Sequence, residues 1–141
     1  MGEAASLNVP AGSSSDCVFV YGSLMQGLEL HHYLAFAAFV SRATTRGRLF
    51  SIGHYPGMTE GEGTVHGELY RFNDVAVALE VLDEVEEFDP ADPEGSPYVR
   101  VLRPVRTHDG AVLLAWMYLY QQDIKGRRLI ESGDWRSPAS G

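Results

Sequence analysis

Cysteine is almost absent. The single Cys17 in 141 residues rules out a disulfide within the chain and fits a reducing cytoplasm. Cys17 opens an apolar stretch and reads as a small buried hydrophobe, not a reactive thiol. Cationic side chains are also few: 11 Lys and Arg stand against 19 Asp and Glu, for a net charge of −8. There is no basic stripe, which argues against nucleic acid and anionic membrane as partners. No apolar run approaches the roughly 18 residues of a membrane span. The longest, Ala111 to Tyr120, has the length and composition of a strand. The first residues lack the basic region and apolar core of a secretion signal, so none is expected. Metal motifs are missing too, with no HExxH and no paired-cysteine spacing. The adjacent His31 and His32 cannot both face one site from a helix, and no metal is expected.

What remains is the composition of a globular domain, 45% hydrophobic and 21% charged. Residues 1–16 are mostly small or turn-forming and read as a mobile arm, 17–136 as one domain, and 137–141 as a second loose end. Cys17 to Tyr21 reads as a buried strand. Leu28 to Phe36 has helical spacing. Phe39 to Ile52 reads as strand, and 52–63, rich in Gly and Pro, as loop with short strand pieces. Thr64 to Phe72 alternates, with Val65, Gly67 and Leu69 on one face and His66, Glu68 and Tyr70 on the other. Asn73 or Asp74 caps a helix running to about Phe88. The segment 89–97, with three prolines, cannot continue it. Tyr98 to Thr107 and Ala111 to Tyr120 flank His108-Asp109-Gly110, a strong hairpin signal. The expected class is α+β: five or six largely antiparallel strands closing, or nearly closing, into a small barrel with two helices against it.

The second helix, DVAVALEVLDEVEEF, holds five acidic residues after its cap. With Leu82 set at zero and roughly 100° per residue, Val75, Ala78, Leu79 and Val85 fall within about 60°. Glu80, Glu84 and Glu87 lie about 140° to 160° away, on the wet face, and Asp83 sits near the edge at about 100°. Glu86 falls at about 40°, inside the apolar stripe. A carboxylate there needs a partner or a task. Either it pairs with an arginine, Arg100 or Arg46, or escapes at a frayed helix end, or burial raises its pKa and makes it a general acid/base.

The stretch VFVYGSL ends a strand in Tyr21-Gly22-Ser23-Leu24. Gly22 permits a tight turn and close approach to a ligand. The N–H groups around it, just ahead of the 28–36 segment, suit an anion-holding nest. A plain strand-ending turn is the simpler alternative. For Tyr21 and Tyr98 the alternative to lining a pocket or orienting the carboxylate is core packing.

YGSL (21–24), the strand GTVHGELY (63–70), LDEVEEF (82–88) with its Asp89-Pro90 exit, Tyr55-Pro56-Gly57 and Tyr98-Val99-Arg100 follow one another in an order that resembles the γ-glutamylcyclotransferase-like family. The likeness is to the branch with γ-glutamylamine cyclotransferases and plant avirulence-induced-type proteins. The resemblance covers most of 17–120. It implies a small mixed, mainly antiparallel β-barrel with flanking helices and a cavity between them. It also implies release of 5-oxoproline from a small γ-glutamyl amine or amide, without metal or organic cofactor. The family's catalytic glutamate falls on Glu86, and its substrate loop on Tyr21, Gly22, Ser23 and Leu24. Several members that act on γ-glutamyl amino acids carry Asn where this chain has Leu24. Glutathione-specific relatives place Trp just past the loop, where this chain has Met25-Gln26-Gly27. The rival expectations are a non-catalytic small-molecule binding module using the same cavity, and amide transfer or hydrolysis without ring closure.

Overall fold

The computed structural model describes residue 9 and residues 12–137. Strands β1 (Cys17–Val20), β2 (Ala38–Ile52), β3 (Tyr55–Arg71), β4 (Tyr98–Thr107) and β5 (Val112–Tyr120) are joined by one α-helix, α1 (Val75–Val85), between β3 and β4. The strand order β3-β1-β5-β4-β2 returns to β3 through a long β2–β3 ladder, so the sheet closes into a five-stranded barrel. A short β6 (Arg128–Leu129) pairs with β2 from outside the ring. The pair β1–β5 is parallel, with Val18 opposite Trp116, and the other pairs are antiparallel.

Alternation along β1 explains the two cores. Cys17 and Phe19 point into the barrel with Leu49, Met58, Val65, Leu69, Met117 and Leu119. Val18 and Val20 point outward, against Leu24, Leu34, Leu79 and Leu82. Cys17 is buried and free, as its sequence context suggests. The expected Asp-Gly hairpin is present: Gly110 has φ +95°, and Thr107 N–H donates to Ala111 O over 2.8 Å.

Three local readings need correction. The 28–36 segment is not an α-helix. It is a series of three-residue turns (Leu28 N to Met25 O, His31 N to Leu28 O, Tyr33 N to Leu30 O), of which His31–Leu34 forms a single 3-10 turn. Nine residues are too few to nucleate a helix alone, and Leu34 gains more by plugging the outer core. The barrel is thus flanked by one α-helix and 3-10 turns, not two helices. Residues 55–63 are part of β3, because pairing with β2 overrides the local Gly and Pro signal. The irregularity is confined to a register jump from Arg46↔Thr64 to Arg48↔Thr59. Helix α1 stops at Val85 instead of about Phe88, with Glu86 as its C-terminal cap.

Residues 1–8, 10, 11 and 138–141, which hold most of the expected arm and tail, lie outside the described residues. Ser15 and Asp16, at the end of the expected arm, are tied to the barrel: Trp116 Nε1 donates to Ser15 O (2.9 Å), and Phe72 N–H to Asp16 O (2.9 Å). Among the described residues no helix is long and apolar enough to cross a membrane.

Candidate active site

The chain leaves β1 at Val20 and turns at once. Gly22 O accepts from Met25 N–H (3.0 Å), Ser23 O from Leu30 N–H (2.9 Å), and Leu24 O from His31 Nδ1 (2.9 Å). The carbonyls are therefore occupied. The N–H groups of Gly22, Ser23 and Leu24 donate to no described residue. Gly22 lies against Pro56: a Cβ there would sit 2.8 Å from Pro56 Cγ. Gly22→Ala should therefore push the loop off β3, costing about 1–3 kcal/mol as an overpacked contact. Urea unfolding checks this, and an unchanged midpoint would refute it.

Two further clusters hold this loop in place. Beyond the turn, the buried Glu68 accepts Gln26 N–H (2.9 Å) and Tyr70 OH (2.9 Å), and Arg136 Nη2 reaches both Glu68 Oε2 (3.0 Å) and Gln26 O. Behind it, Tyr21 OH donates to Tyr118 O (2.6 Å) and accepts from Met58 N–H (3.2 Å). Burial, then the nearby Glu86 and Tyr98, push the Tyr21 phenol well up. Its hydroxyl is committed to backbone, so Tyr21 lines the site and does not orient Glu86. Tyr98 OH is likewise committed, donating to Pro56 O (2.8 Å), with its ring edge-on to Tyr120.

The helix supplies the other wall. Asp83, the edge residue of the wheel, is buried. It takes Arg100 Nε (2.9 Å) and Nη2 (3.3 Å) and Tyr118 OH (2.6 Å). Arg100 also lies over the Trp116 ring, 5.1 Å from its centroid. Arg100 therefore pairs with Asp83, and Arg46 with Glu62, so neither expected arginine takes Glu86. The Glu86 carboxyl has no hydrogen bond or ion pair to any described residue. Burial first, and the neighbouring Glu87 second, raise its pKa from 4.5 to about 7.

The structure brings Tyr21, Gly22, Ser23, Leu24, Glu86 and Tyr98 around one hollow of about 280 Å³. Glu87, Tyr33 and Tyr55 also line it. The sequence reading had Glu87 on the wet face. It is exposed, as expected, and lines this hollow from beyond the helix end, with φ +60°. A larger hollow of about 460 Å³ shares none of these residues; it holds the Arg46–Glu62 and Arg103–Glu60 pairs and Arg106, whose Nη1 donates to Gly110 O. Among the described residues no group of three His, Cys, Asp or Glu is placed to hold a metal ion.

A closed mixed barrel with this loop and a helix-end carboxyl on one hollow is the γ-glutamyl cyclotransferase-like fold. The chain belongs to the γ-glutamyl cyclotransferase, AIG2-like family, whose pattern matches residues 18–137. It is 40% identical over 119 residues to the γ-glutamylcyclotransferase family protein YtfP of Escherichia coli K12, covering 84% of this chain and 94% of that protein. The solution structure of E. coli ytfP superposes with a TM-score of 0.61 at 39% identity, over 87% of this chain and 98% of that one. YkqA from Bacillus subtilis superposes with a TM-score of 0.68 at 28% identity, over 87% of this chain and 40% of that one. The γ-L-glutamyl-butirosin B γ-glutamyl cyclotransferase of Niallia circulans is 35% identical over 109 residues, 75% of this chain and 67% of that protein.

Proposed function

We propose that the protein is a γ-glutamylcyclotransferase that releases 5-oxoproline from a small γ-glutamyl amine or amide, with Glu86 as general acid/base. One observation carries the reading. A carboxyl with no hydrogen-bond or ion-pair partner among the described residues, its pKa raised to about 7, lines the same hollow as three backbone N–H groups that donate to no described residue. The names of the YtfP and Niallia circulans relatives support the same class of reaction. A cytoplasmic location goes with it, supported by the single buried cysteine.

The reaction is internal. Glu86 takes a proton from the substrate's α-ammonium. The freed nitrogen attacks the γ-carbonyl carbon and closes a five-membered ring, a type of step with effective molarities on the order of 10⁵ M. The carbonyl electrons move to oxygen and return as the bond to the leaving nitrogen breaks. Glu86 gives its proton to that nitrogen, and the ring nitrogen sheds its surplus proton to solvent, leaving the single N–H of 5-oxoproline. The N–H groups of 22–24 hold either the α-carboxylate or the developing oxyanion. Tyr21 and Tyr98 wall the pocket. A carboxylate at the usual pKa is a feeble base toward an ammonium, so burial of Glu86 suits the task.

Incubation with a panel of γ-glutamyl amines and amides, followed by mass spectrometry, tests this. 5-Oxoproline plus free amine is expected, and free glutamate or no product across the panel would refute it. The base form of Glu86 must be present at the start, so kcat/KM should rise with pH through an acid limb near 7. A flat profile between pH 5 and 8 would remove Glu86 as the base.

A further inference from the structure

Glu68 is a buried carboxylate that touches neither the hollow nor the reacting groups. It lies on β3 directly opposite Val20, the last residue of β1, and so flanks the point where the 21–24 loop begins. Its Oε1 accepts Gln26 N–H (2.9 Å) and Tyr70 OH (2.9 Å), and its Oε2 accepts Arg136 Nη2 (3.0 Å). The same Nη2 donates to Gln26 O. Gln26 is thus gripped at both its backbone polar groups, the N–H by the anion and the carbonyl by the cation of one ion pair. Burial, then the bond to Glu68, push the Tyr70 phenol up, so it stays a donor to that carboxylate.

Burying such a pair is expensive, and apolar side chains of the same volume would stabilise an ordinary turn as well. They could not bond a backbone N–H and a backbone carbonyl in fixed directions. The grip on Gln26 reaches the amides before it. Met25, 2% exposed, plugs the outer core, and its N–H closes the turn on Gly22 O (3.0 Å). The 22–24 N–H groups therefore lie between two held points, the Val20–Glu68 pairing and Gln26.

The cation arrives along an anchored path after β6. Ile130, buried, donates its N–H to Leu49 O (2.7 Å), and Gly133 O accepts His66 N–H (2.8 Å), two residues before Glu68 on β3. A Cβ at Gly133 would overlap Thr64 O, so the segment runs flush against that strand. Asp134 Oδ1 then accepts Arg136 N–H (3.0 Å).

We propose that Glu68 and Arg136 are positioning residues for the cyclotransferase reaction, which act through Gln26 to hold the 22–24 amides at the hollow. This rests on the cyclotransferase reading and adds the segment 130–136 to what that reaction needs.

Arg136→Ala should lower kcat/KM for 5-oxoproline release from the best γ-glutamyl amide of the panel by about ten- to a hundredfold, measured well below the variant's Tm. The acid limb near 7 should stay in place, because Glu86 is untouched. Arg136→Lys should return to within about threefold of the parent: both contacts leave one nitrogen, and an ammonium carries three donors. Arg136→Ala combined with Glu68→Gln should lose no more than Arg136→Ala alone, because the two side chains act as a unit. That double variant leaves no unpaired buried charge and carries the same readings if Arg136→Ala does not fold. Arg103→Ala, which breaks the Arg103–Glu60 pair away from this hollow, should stay within about twofold of the parent. Amide hydrogen exchange gives a reading apart from turnover. In Arg136→Ala the Met25 and Gln26 amides should exchange about tenfold faster, with β1 and α1 unchanged. A fall in kcat/KM of less than about twofold, a fall that Arg136→Lys does not reverse, a displaced acid limb, or unchanged exchange at Met25 and Gln26 overturns the assignment. If the parent yields no 5-oxoproline, the activity reading fails and exchange alone decides: faster exchange confined to Met25 and Gln26 supports the hold on the amides, and an unchanged or uniformly faster pattern overturns it.

Discussion

Glu86→Gln is expected to lower kcat/KM for 5-oxoproline release by roughly three orders of magnitude, the usual contribution of a positioned acid/base group. Glutamine keeps the volume and polarity at the cap but cannot carry the proton from one nitrogen to the other. Glu84→Gln, on the solvent face of α1, should stay within about twofold of the parent. The same Glu86 variant should be more stable than the parent at high pH. A carboxyl whose folded pKa is about 7 instead of 4.5 binds its proton more tightly in the folded state. Its stabilising effect is complete below pH 4.5 and is lost as pH rises through 7. With discount for partial exposure to solvent, the parent should gain on the order of 2 kcal/mol relative to the variant on going from pH 8 to pH 4. Chemical denaturation at the two pH values reads this directly. A variant that turns over substrate at the parent rate would end the acid/base role, and a pH-independent stability difference would end the account of its burial.

Asp83→Ala should be the most damaging single change to the fold of the site. Asp83 receives Arg100 at 2.9 Å and 3.3 Å and Tyr118 OH at 2.6 Å. Its removal strands a largely buried guanidinium without counter-charge and a buried phenol without acceptor, a loss of about 3–5 kcal/mol. The damage should reach the hollow, because the backbone carbonyl of Tyr118 holds the Tyr21 hydroxyl at the root of the 21–24 loop. Turnover should fall with stability. Asp83→Asn keeps an acceptor for Tyr118 but not the charge, and should fall between parent and Ala. Urea midpoints rank the three, and an alanine variant within about 1 kcal/mol of the parent would show that Arg100 finds another partner.

Much of the ring could be read from residue order, for identifiable reasons. β1 announces itself by four consecutive large or apolar residues, and the β4–β5 hairpin by Asp109-Gly110. The N-terminal half of β3 could not be read. Pro56, Gly57, Gly61 and Gly63 give a loop signal, and only pairing with β2, a non-local effect, makes strand of them. The turns at 28–36 have helical spacing because their leucines must all reach the outer core, which does not require a helix. At the site, the helical wheel set Glu86 among aliphatic neighbours, and it stands as a half-buried cap on the hollow. It put Glu87 on the wet face, where it is exposed, but gave no sign that this residue also lines the hollow, because a fixed angle per residue has no meaning past the cap. Arg100, one of the alternative partners weighed for Glu86, takes Asp83 instead, since Asp83 at the edge of the stripe lies toward β4. The partnership of Glu68, Gln26 and Arg136 had no local signature, its members being 42 and 110 residues apart.

That last separation has a consequence for birth order. The loop after β1 leaves the ribosome well before Arg136, which clasps it through Glu68 and Gln26 O and is translated 110 residues after Gln26. β1 must also wait for both of its flanking strands, β3 and β5. At cellular elongation rates the interval is roughly 5–20 s. Until Arg136 is made, the loop after β1 lacks the clasp to Glu68 and Gln26 that holds it against β3, so the loop reaches its final placement only once the last described residues have been added.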